Sequence, residues 1–194
     1  MATNNQDGPR ERVLDAASRL FYEQGFHATG VNQVIDEAGV AKASFYDHFG
    51  SKENLGVAYL KQRHRTWFTA LQDRIGEYAQ SQDRLLAPFE FLEDWVAEPD
   101  LRGCDFLNIV SEFPNGSHPI RDAARRHKDE LRETFLELTH SALNDTLSDT
   151  EIERIANELY LLFEGAIIAS QNFEATWPAE SARATARALL DQHP

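Results

Sequence analysis

The chain has 194 residues, of which 42% are hydrophobic, so it can bury one full core or a small domain beside a larger one. Its one cysteine excludes an internal disulfide framework and suits a reducing compartment, so we expect a cytoplasmic protein. No apolar run comes near the roughly 18 residues of a membrane span, and the first residues do not resemble an apolar leader, so we expect neither membrane insertion nor export.

The net charge of −13 is distributed unevenly along the chain. Residues 1–65 carry 8 Lys or Arg and 8 Asp or Glu side chains, whereas the remaining residues carry 11 and 24. An acidic body behind a neutral head would orient the head toward DNA and weaken non-specific binding. The acidity is equally compatible with a role in solubility alone.

The first predicted helix follows a polar arm. Residues 1–9 contain Gly8-Pro9 and predict a disordered segment. Apolar residues at helical spacing then predict a helix from Arg10 to Gln24, which Gly25 ends. Its buried stripe consists of Val13, Leu14, Ala17, Leu20 and Phe21.

Two short helices come next, with a glycine between them. Val31, Val34, Ile35 and Ala38 form one apolar face, and Gly39 follows where a helix end favours positive φ. A second helix over 42–49 completes a helix-turn-helix pattern, which places its second helix in the DNA major groove. The alternative is an ordinary helical hairpin. The lysine, hydroxyl, phenol and imidazole outside the second helix favour DNA binding, because these groups suit phosphates and base edges.

These residues resemble the N-terminal signature of TetR-type transcriptional regulators. The resemblance rests on Gly25-Phe26, Thr29, Val31, Val34-Ile35, Ala38-Gly39-Val40, Lys42, Phe45-Tyr46, His48-Phe49, Ser51-Lys52-Glu53 and Leu55. It implies an all-α fold with a three-helix helix-turn-helix head over residues 10–50. It also implies a helical body over residues 51–194 that binds an effector and dimerises, with a helix over 52–80 as the linker.

The DNA contacts follow from the resemblance and from donor chemistry. We expect Lys42, Ala43 and Ser44 nearest the base edges. The phosphate contacts are expected from Tyr46, His48, Lys52 and Thr29. Thr29 is also a candidate cap of the second helix, because Gly30 stands where the family often has a capping Ser or Thr. Ala41 stands where a hydroxyl often caps the recognition helix of the family.

Further helices are predicted in the rest of the chain, and no strand pattern is present. We expect Pro88 in the first turns of a helix that begins at Arg84, where proline is tolerated. Ser148 and Glu151 form a capping box at three-residue spacing. The predicted ranges are 84–96, a buried helix over 104–113, a long helix over 119–143, a helix from the capping box to about residue 172, and a last helix after Pro178.

The last two helices are predicted to form a homodimer interface, as the resemblance implies. The expected interface residues are Ile155, Leu159, Leu162, Ala166, Ala169, Ala186 and Leu190. The alternative is that these side chains only complete the core of one subunit.

An effector site is predicted from aromatic side chains with a few polar ones among them. The candidates are Trp67, Phe91, Trp95, Phe106, Asn108, Glu112, Phe113, Phe163 and Gln171. They suggest a small apolar or aromatic effector with one or two polar groups. Aromatic residues at helical spacing are also ordinary core residues, so the alternative is that they bind nothing.

The predicted function is a repressor that leaves a palindromic double-stranded DNA operator when its effector binds. The alternatives are control by a protein partner or by thiol modification of Cys104. The flanking Asp105 disfavours a thiolate, and a lone cysteine beside an apolar helix is commonly inert. We expect no metal site, no cofactor and no enzymatic activity, because neither metal-ligand spacing nor a catalytic motif is present.

Overall fold

The computed structural model describes residues 8–98, 102–114, 116–144 and 146–193. Within these ranges the chain is helical and contains no strand, which confirms the all-α prediction. The helices are α1 (Pro9–Gln24), α2 (Val31–Ala38), α3 (Lys42–Phe49), α4 (Lys52–Gly76), α5 (Ser81–Val96), α6 (Asp105–Ser111), α7 (Pro119–Leu143), α8 (Asp149–Phe173) and α9 (Trp177–Leu190). None of these described helices combines the length and the apolarity needed to cross a membrane.

Several predicted helix boundaries need correction. Helix α4 ends at Gly76 and not near Gln80, because glycine weakens a helix and a turn follows it. Helix α5 begins at Ser81 and not at Arg84, so Pro88 lies inside it. The buried helix is shorter than the predicted range 104–113, since α6 covers only Asp105–Ser111.

The chain forms two compact units. The first unit is Met1–Arg65 with Cys104–Arg126, and the second is Thr66–Gly103 with His127–Pro194. The first unit therefore extends past residue 50, where the sequence predicts the head to end. It includes α6 and the beginnings of α4 and α7.

The first three helices pack around a small core in the first unit. Val13 and Ala17 of α1 and Phe45 of α3 are completely buried. Between α2 and α3, Gly39 has φ of +61°, and its N–H donates to carbonyls of the last turn of α2. The turn therefore uses the left-handed conformation that glycine adopts without steric cost.

A buried polar cluster joins α6 to α4 within the first unit. The Asp105 carboxylate is only 6% exposed. It accepts a hydrogen bond from the Tyr59 hydroxyl, and Arg63 Nη2 lies 3.0 Å from its second oxygen. These partners offset the cost of removing the carboxylate from water.

The second unit has an aromatic centre within α5, α7 and α8. The rings of Phe89, Phe135 and Phe163 lie 5.5–5.8 Å apart between centroids, in edge-on arrangements. At the surface, Arg183 of α9 binds Glu93 at 2.9 Å and Glu90 at 3.0 Å, both of α5. This ion network joins α9 to α5.

The predicted capping box is present at the start of α8. The Glu151 carboxylate accepts hydrogen bonds from the backbone N–H and the hydroxyl of Ser148, at 3.1 and 2.6 Å. These bonds lower the pKa of Glu151. The start of α8 is therefore fixed by a capping box between Ser148 and Glu151, which the sequence predicts from their three-residue spacing.

Replacing Tyr59 with phenylalanine tests the buried cluster. Burial and the neighbouring Asp105 carboxylate raise the pKa of Tyr59 above its ordinary value of 10.0. The stability contributed by the protonated phenol is present below pH 10 and is lost as the pH rises above it, because the unfolded chain then releases the proton more readily. We expect Tyr59→Phe to lower the free energy of unfolding at pH 7 by about 1–3 kcal/mol, through loss of a hydrogen bond to a charged group.

Urea unfolding of the wild type and the variant at pH 7 and about pH 10.5 measures this effect. The difference between them is expected to shrink at the higher pH, whereas Tyr46→Phe on the exposed face of α3 changes little at either pH. A wild-type advantage that stays constant over this range contradicts the role assigned to Tyr59.

Candidate nucleic-acid interface

Helix α3 divides sharply into a buried and an exposed face. Phe45 and Phe49 point into the core of the first unit. Tyr46 is 47% exposed, although it is a large aromatic residue. The other side chains predicted to contact DNA from this helix are also accessible, with Lys42, Ala43 and His48 exposed and Ser44 half-buried.

The exposed face of α3 has the chemistry of a DNA-reading helix. The ammonium of Lys42, the phenol of Tyr46 and the imidazole of His48 can meet phosphates or base edges. Ala43 and Ser44 are small enough to let the backbone approach a base. This one face therefore carries five of the seven side chains that the sequence predicts to contact DNA.

The N-termini of α2 and α3 have no side-chain caps. Gly30 precedes α2 and Ala41 precedes α3, and neither helix receives a capping hydrogen bond from a side chain at that position. The first-turn N–H groups of a helix are suited to bind an anion such as a phosphate. The prediction that Thr29 caps α2 is wrong.

Thr29 also needs correction as a phosphate contact. Its side chain is completely buried, with 0% of its surface exposed. Its hydroxyl donates inward, 2.8 Å from the carbonyl oxygen of Gly25 and 3.3 Å from that of Leu20. The hydroxyl therefore holds the connection between α1 and α2 together and is not available to DNA.

Lys52 is half-buried at the start of α4. Its Nζ lies 4.4 Å from the centroid of the Phe26 ring and 3.5 Å from the carbonyl oxygen of His27. Burial lowers the pKa of Lys52, and the nearby carboxylates of Glu53 and Glu112 oppose that shift. Its contact with a phosphate stays a prediction, since the ammonium already has partners within the unit.

Glu112 is the residue whose predicted role changes most. Its two carboxylate oxygens accept hydrogen bonds from the backbone N–H groups of Phe26, at 2.7 Å, and His27, at 2.6 Å. Both amides belong to the connection between α1 and α2. The carboxylate predicted to face an effector thus binds the backbone of the DNA-binding unit.

A cleft of about 350 Å³ lies beside this carboxylate in the first unit. It is lined by Phe26, His27, Lys52, Glu53, Glu112, Phe113, Pro114 and His118. The Phe113 ring lies 5.2 Å from Phe26 and 4.4 Å from His118 between centroids. Sequence reasoning missed this cluster, because its members are up to about ninety positions apart and no local spacing links them.

The predicted effector residues fall in both units. Phe106, Asn108, Glu112 and Phe113 belong to the first unit, and the others belong to the second. In the second unit the Trp67 ring lies 5.3 Å from Phe91 and 6.3 Å from Phe163 between centroids. Trp95 is nearly buried at the end of α5.

Gln171 lines a separate cavity of about 460 Å³ in the second unit. The other lining residues are Val96, Glu98, Arg102, Ser170, Glu174 and Ala175. The Ser170 hydroxyl is buried and has no hydrogen-bond partner. A buried unpaired hydroxyl is costly, so this cavity suits a molecule that offers a polar group to it.

Most of the predicted dimer residues are buried inside their own chain. Ile155, Leu159, Ala166, Ala186 and Leu190 are at most 6% exposed. They have almost no surface left to bury against a second subunit, so the prediction for these five needs correction. Leu162 and Ala169 remain partly exposed.

A different apolar face of α8 is exposed in the described part of the chain. Leu161 is 66% exposed and Ile168 is 46% exposed, and Gly165 lies between them on the same face. Phe173, the last residue of α8, and Trp177, the first residue of α9, are also exposed, and their ring centroids lie 5.4 Å apart. We call Leu161, Gly165 and Ile168 the α8 face.

The described residues offer no group of three or more His, Cys, Asp or Glu side chains that could hold a metal ion.

Cys104 is 4% exposed and directly precedes α6. Control through its thiol stays a hypothesis, and in this conformation the thiol is shielded from reagents.

The exposed face of α3, held on a core of three helices, defines a helix-turn-helix DNA-binding protein. Residues 13–59 match the model described as bacterial regulatory proteins, tetR family, and residues 81–186 match the model of the tetracyclin repressor-like C-terminal domain. The chain therefore belongs to the TetR family of transcriptional regulators. It is a DNA-binding regulator and not an enzyme.

Similar proteins span nearly the whole chain. The transcriptional regulator LmrA of Bacillus subtilis is 28% identical over 87% of this chain and 89% of its own length. The transcriptional repressor NemR of Escherichia coli is 27% identical and covers 98% of both chains. A TetR-family regulator from Streptomyces coelicolor has a crystal structure that matches with a TM-score of 0.86, at 29% identity over 95% of both chains.

Replacing Thr29 with valine tests whether its hydroxyl stabilises the connection between α1 and α2 or contacts a phosphate. Valine keeps the shape but loses the hydroxyl, so we expect the free energy of unfolding to fall by about 1–2 kcal/mol. The salt dependence of DNA binding is expected to stay unchanged, because no phosphate contact is lost. Urea unfolding and binding titrations over a salt series measure the two effects. A shallower salt slope without loss of stability contradicts the buried role.

Proposed function

We propose that this regulator is a repressor that binds a palindromic operator as a homodimer and leaves it when a small molecule binds the second unit. The observation that carries the proposal is the exposed face of α3, with its phenol and cation opposite the buried Phe45 and Phe49. In a two-fold dimer, two such helices enter successive major grooves. Repression is supported by the similarity to NemR, which is named a repressor.

The proposed DNA contacts are those of α3 together with Lys52. Lys42, Ala43 and Ser44 lie at the beginning of α3, which is the part of a recognition helix that contacts base edges. Tyr46 and His48 project further along the helix and suit the flanking phosphates. The uncapped N-termini of α2 and α3 add backbone N–H groups for further phosphates.

The proposed dimer forms through the α8 face with Leu162 and Ala169 at its border. Large exposed apolar side chains in one contiguous patch indicate an interaction surface. Gly165 lets a partner helix approach closely at the centre of the patch, because it has no side chain and the space that a Cβ would point into is open. A second copy of the chain is the proposed occupant, since regulators of this family act as dimers.

The proposed effector site is in the second unit. The cavity at Gln171 is the proposed site and supplies polar groups. The rings of Trp67, Phe91 and Phe163 form an aromatic cluster elsewhere in the same unit and do not line this cavity. The cavity volume of about 460 Å³ is in the range of small-molecule sites. Ser170 and Gln171 would fix the orientation of a ligand there, and Arg102 would favour one that carries an acceptor group.

The DNA contacts are tested by replacing Lys42 with alanine. The matched control is Lys61→Ala, which removes the same charge from an exposed position on α4. The DNA probe is a duplex that the wild-type protein selects from a random-sequence library. In fluorescence-anisotropy titrations, we expect Lys42→Ala to weaken binding by roughly tenfold and to change base preference, as removal of a base contact does. Equal effects of the two substitutions contradict a reading role for α3.

The dimer is tested by replacing Leu161 with glutamate. A carboxylate in the middle of an apolar interface is costly to bury, so the variant is expected to sediment as a monomer at concentrations where the wild type is dimeric. Ala70→Glu introduces the same charge at an exposed position of α4 and is expected to leave the dimer intact. Sedimentation velocity distinguishes these species. A dimeric Leu161→Glu protein contradicts the assignment of the α8 face.

A further inference from the structure

The connection between α1 and α2 is closed by hydrogen bonds from two sides. On the inner side, the Thr29 hydroxyl binds the carbonyl oxygens of Leu20 and Gly25. On the outer side, the Glu112 carboxylate binds the N–H groups of Phe26 and His27. The inner contact is local in sequence, whereas the outer one joins residues 86 and 85 positions apart.

The approach of the carboxylate is made possible by the shape of the connection. Gly25 has φ of +94°, and a Cβ at this position would lie 3.1 Å from Glu112 Oε1. Each carboxylate oxygen takes one of two successive N–H groups, so both backbone donors and both acceptors have partners. Hydrogen bonds to an ionised carboxylate are stronger than those between neutral groups.

The segment that carries Glu112 is held in place by further contacts. His27 Nε2 lies 3.0 Å from the Glu112 carbonyl oxygen. Arg121 Nη1 donates to the Phe113 carbonyl oxygen at 2.7 Å. The Phe113 ring packs between Phe26 and His118, so the carboxylate is presented from a fixed backbone.

We propose that Glu112 is a positioning residue for operator binding, which acts by fixing the connection that leads into α2. This inference rests on the proposed function. The connection ends at Gly30, directly before α2, and α2 leads through Gly39 into α3. Loosening it adds conformational freedom that DNA binding must remove, and this weakens the specific complex. Glu112 itself contacts the protein backbone and not DNA.

Removing the Glu112 charge is expected to weaken DNA binding, whereas simple electrostatics predicts that it strengthens DNA binding. Removing a negative charge from the first unit should strengthen DNA binding if charge alone matters. In Glu112→Gln, the side-chain amide presents one acceptor and one donor, so one of the two backbone N–H groups faces a donor. The substitution is therefore expected to weaken operator binding by about tenfold, although it makes the protein less acidic.

Glu53→Gln is the matched control. Glu53 is exposed, lines the same cleft and carries the same charge. The two substitutions therefore change the local charge equally, but only one removes hydrogen bonds to the connection. We expect the control to bind the operator as tightly as the wild type or more tightly.

The experiment compares the wild type, Glu112→Gln and Glu53→Gln on two duplexes of equal length. One duplex is the sequence that the wild-type protein selects from a random library, and the other is a scrambled version. A purely structural defect reduces the active fraction of the protein and lowers both affinities together. The proposal predicts that the ratio of operator to scrambled affinity falls about tenfold in Glu112→Gln and is unchanged in Glu53→Gln.

A second variant keeps the test decisive if Glu112→Gln does not fold. His27→Phe retains a ring against Phe26 and Phe113 but loses the hydrogen bond to the Glu112 carbonyl oxygen. Its affinity ratio is expected to fall by about threefold to fivefold, in line with one neutral hydrogen bond. An unchanged ratio in the variants that fold overturns the proposal. A wild-type protein that selects no duplex contradicts the proposed function instead.

Discussion

The DNA-binding unit depends on how its chain passes from α1 into α2. Phe26 and Thr29 are buried there, so the polar groups of these two residues must find partners within the protein. The Thr29 hydroxyl donates its one proton to the carbonyl oxygens of Gly25 and, at longer distance, Leu20, and the Glu112 carboxylate accepts from two N–H groups. Both sets of bonds therefore help to fix the start of α2, and α3 follows directly from α2.

This constraint explains why α6 belongs to the same compact unit as the first three helices. At the beginning of α6, the buried Asp105 accepts hydrogen bonds from Tyr59 and Arg63 of α4. Directly after its end, Glu112 binds the connection between α1 and α2. A helix of only seven residues is thus anchored by a carboxylate at each end. Its position is coupled to both neighbours of the reading helix, which are α2 before it and α4 after it.

Local features of the fold were predictable because their causes are local. Gly25 and Gly39 mark helix ends through their backbone conformation, and Ser148 with Glu151 marks a helix start through a capping box. The buried and exposed faces of α3 follow from helical spacing. The resemblance of the first third of the chain to one family then indicated which exposed face contacts DNA.

The wrong predictions concern residues whose surroundings are set by tertiary packing and not by local sequence. Thr29 looks like a surface cap in the sequence, but the bend of the connection turns its hydroxyl inward. The apolar stripe of α8 extends around most of the helix, so its spacing does not reveal which part is covered by α5 and α9. Ile155 and Leu159 are covered, and Leu161 and Ile168 are left exposed. Glu112 has its partners 85 and 86 positions away, and no sequence pattern connects them.

The most direct measurement is the hydrogen-exchange rate of the Phe26 and His27 amides, in the free protein and in the operator complex. The account predicts slow exchange at both positions in both states, because the Glu112 carboxylate holds these two N–H groups when the protein is competent to bind DNA. Exchange that becomes fast in the operator complex would contradict it. That result would mean that the connection must open for α3 to reach the DNA.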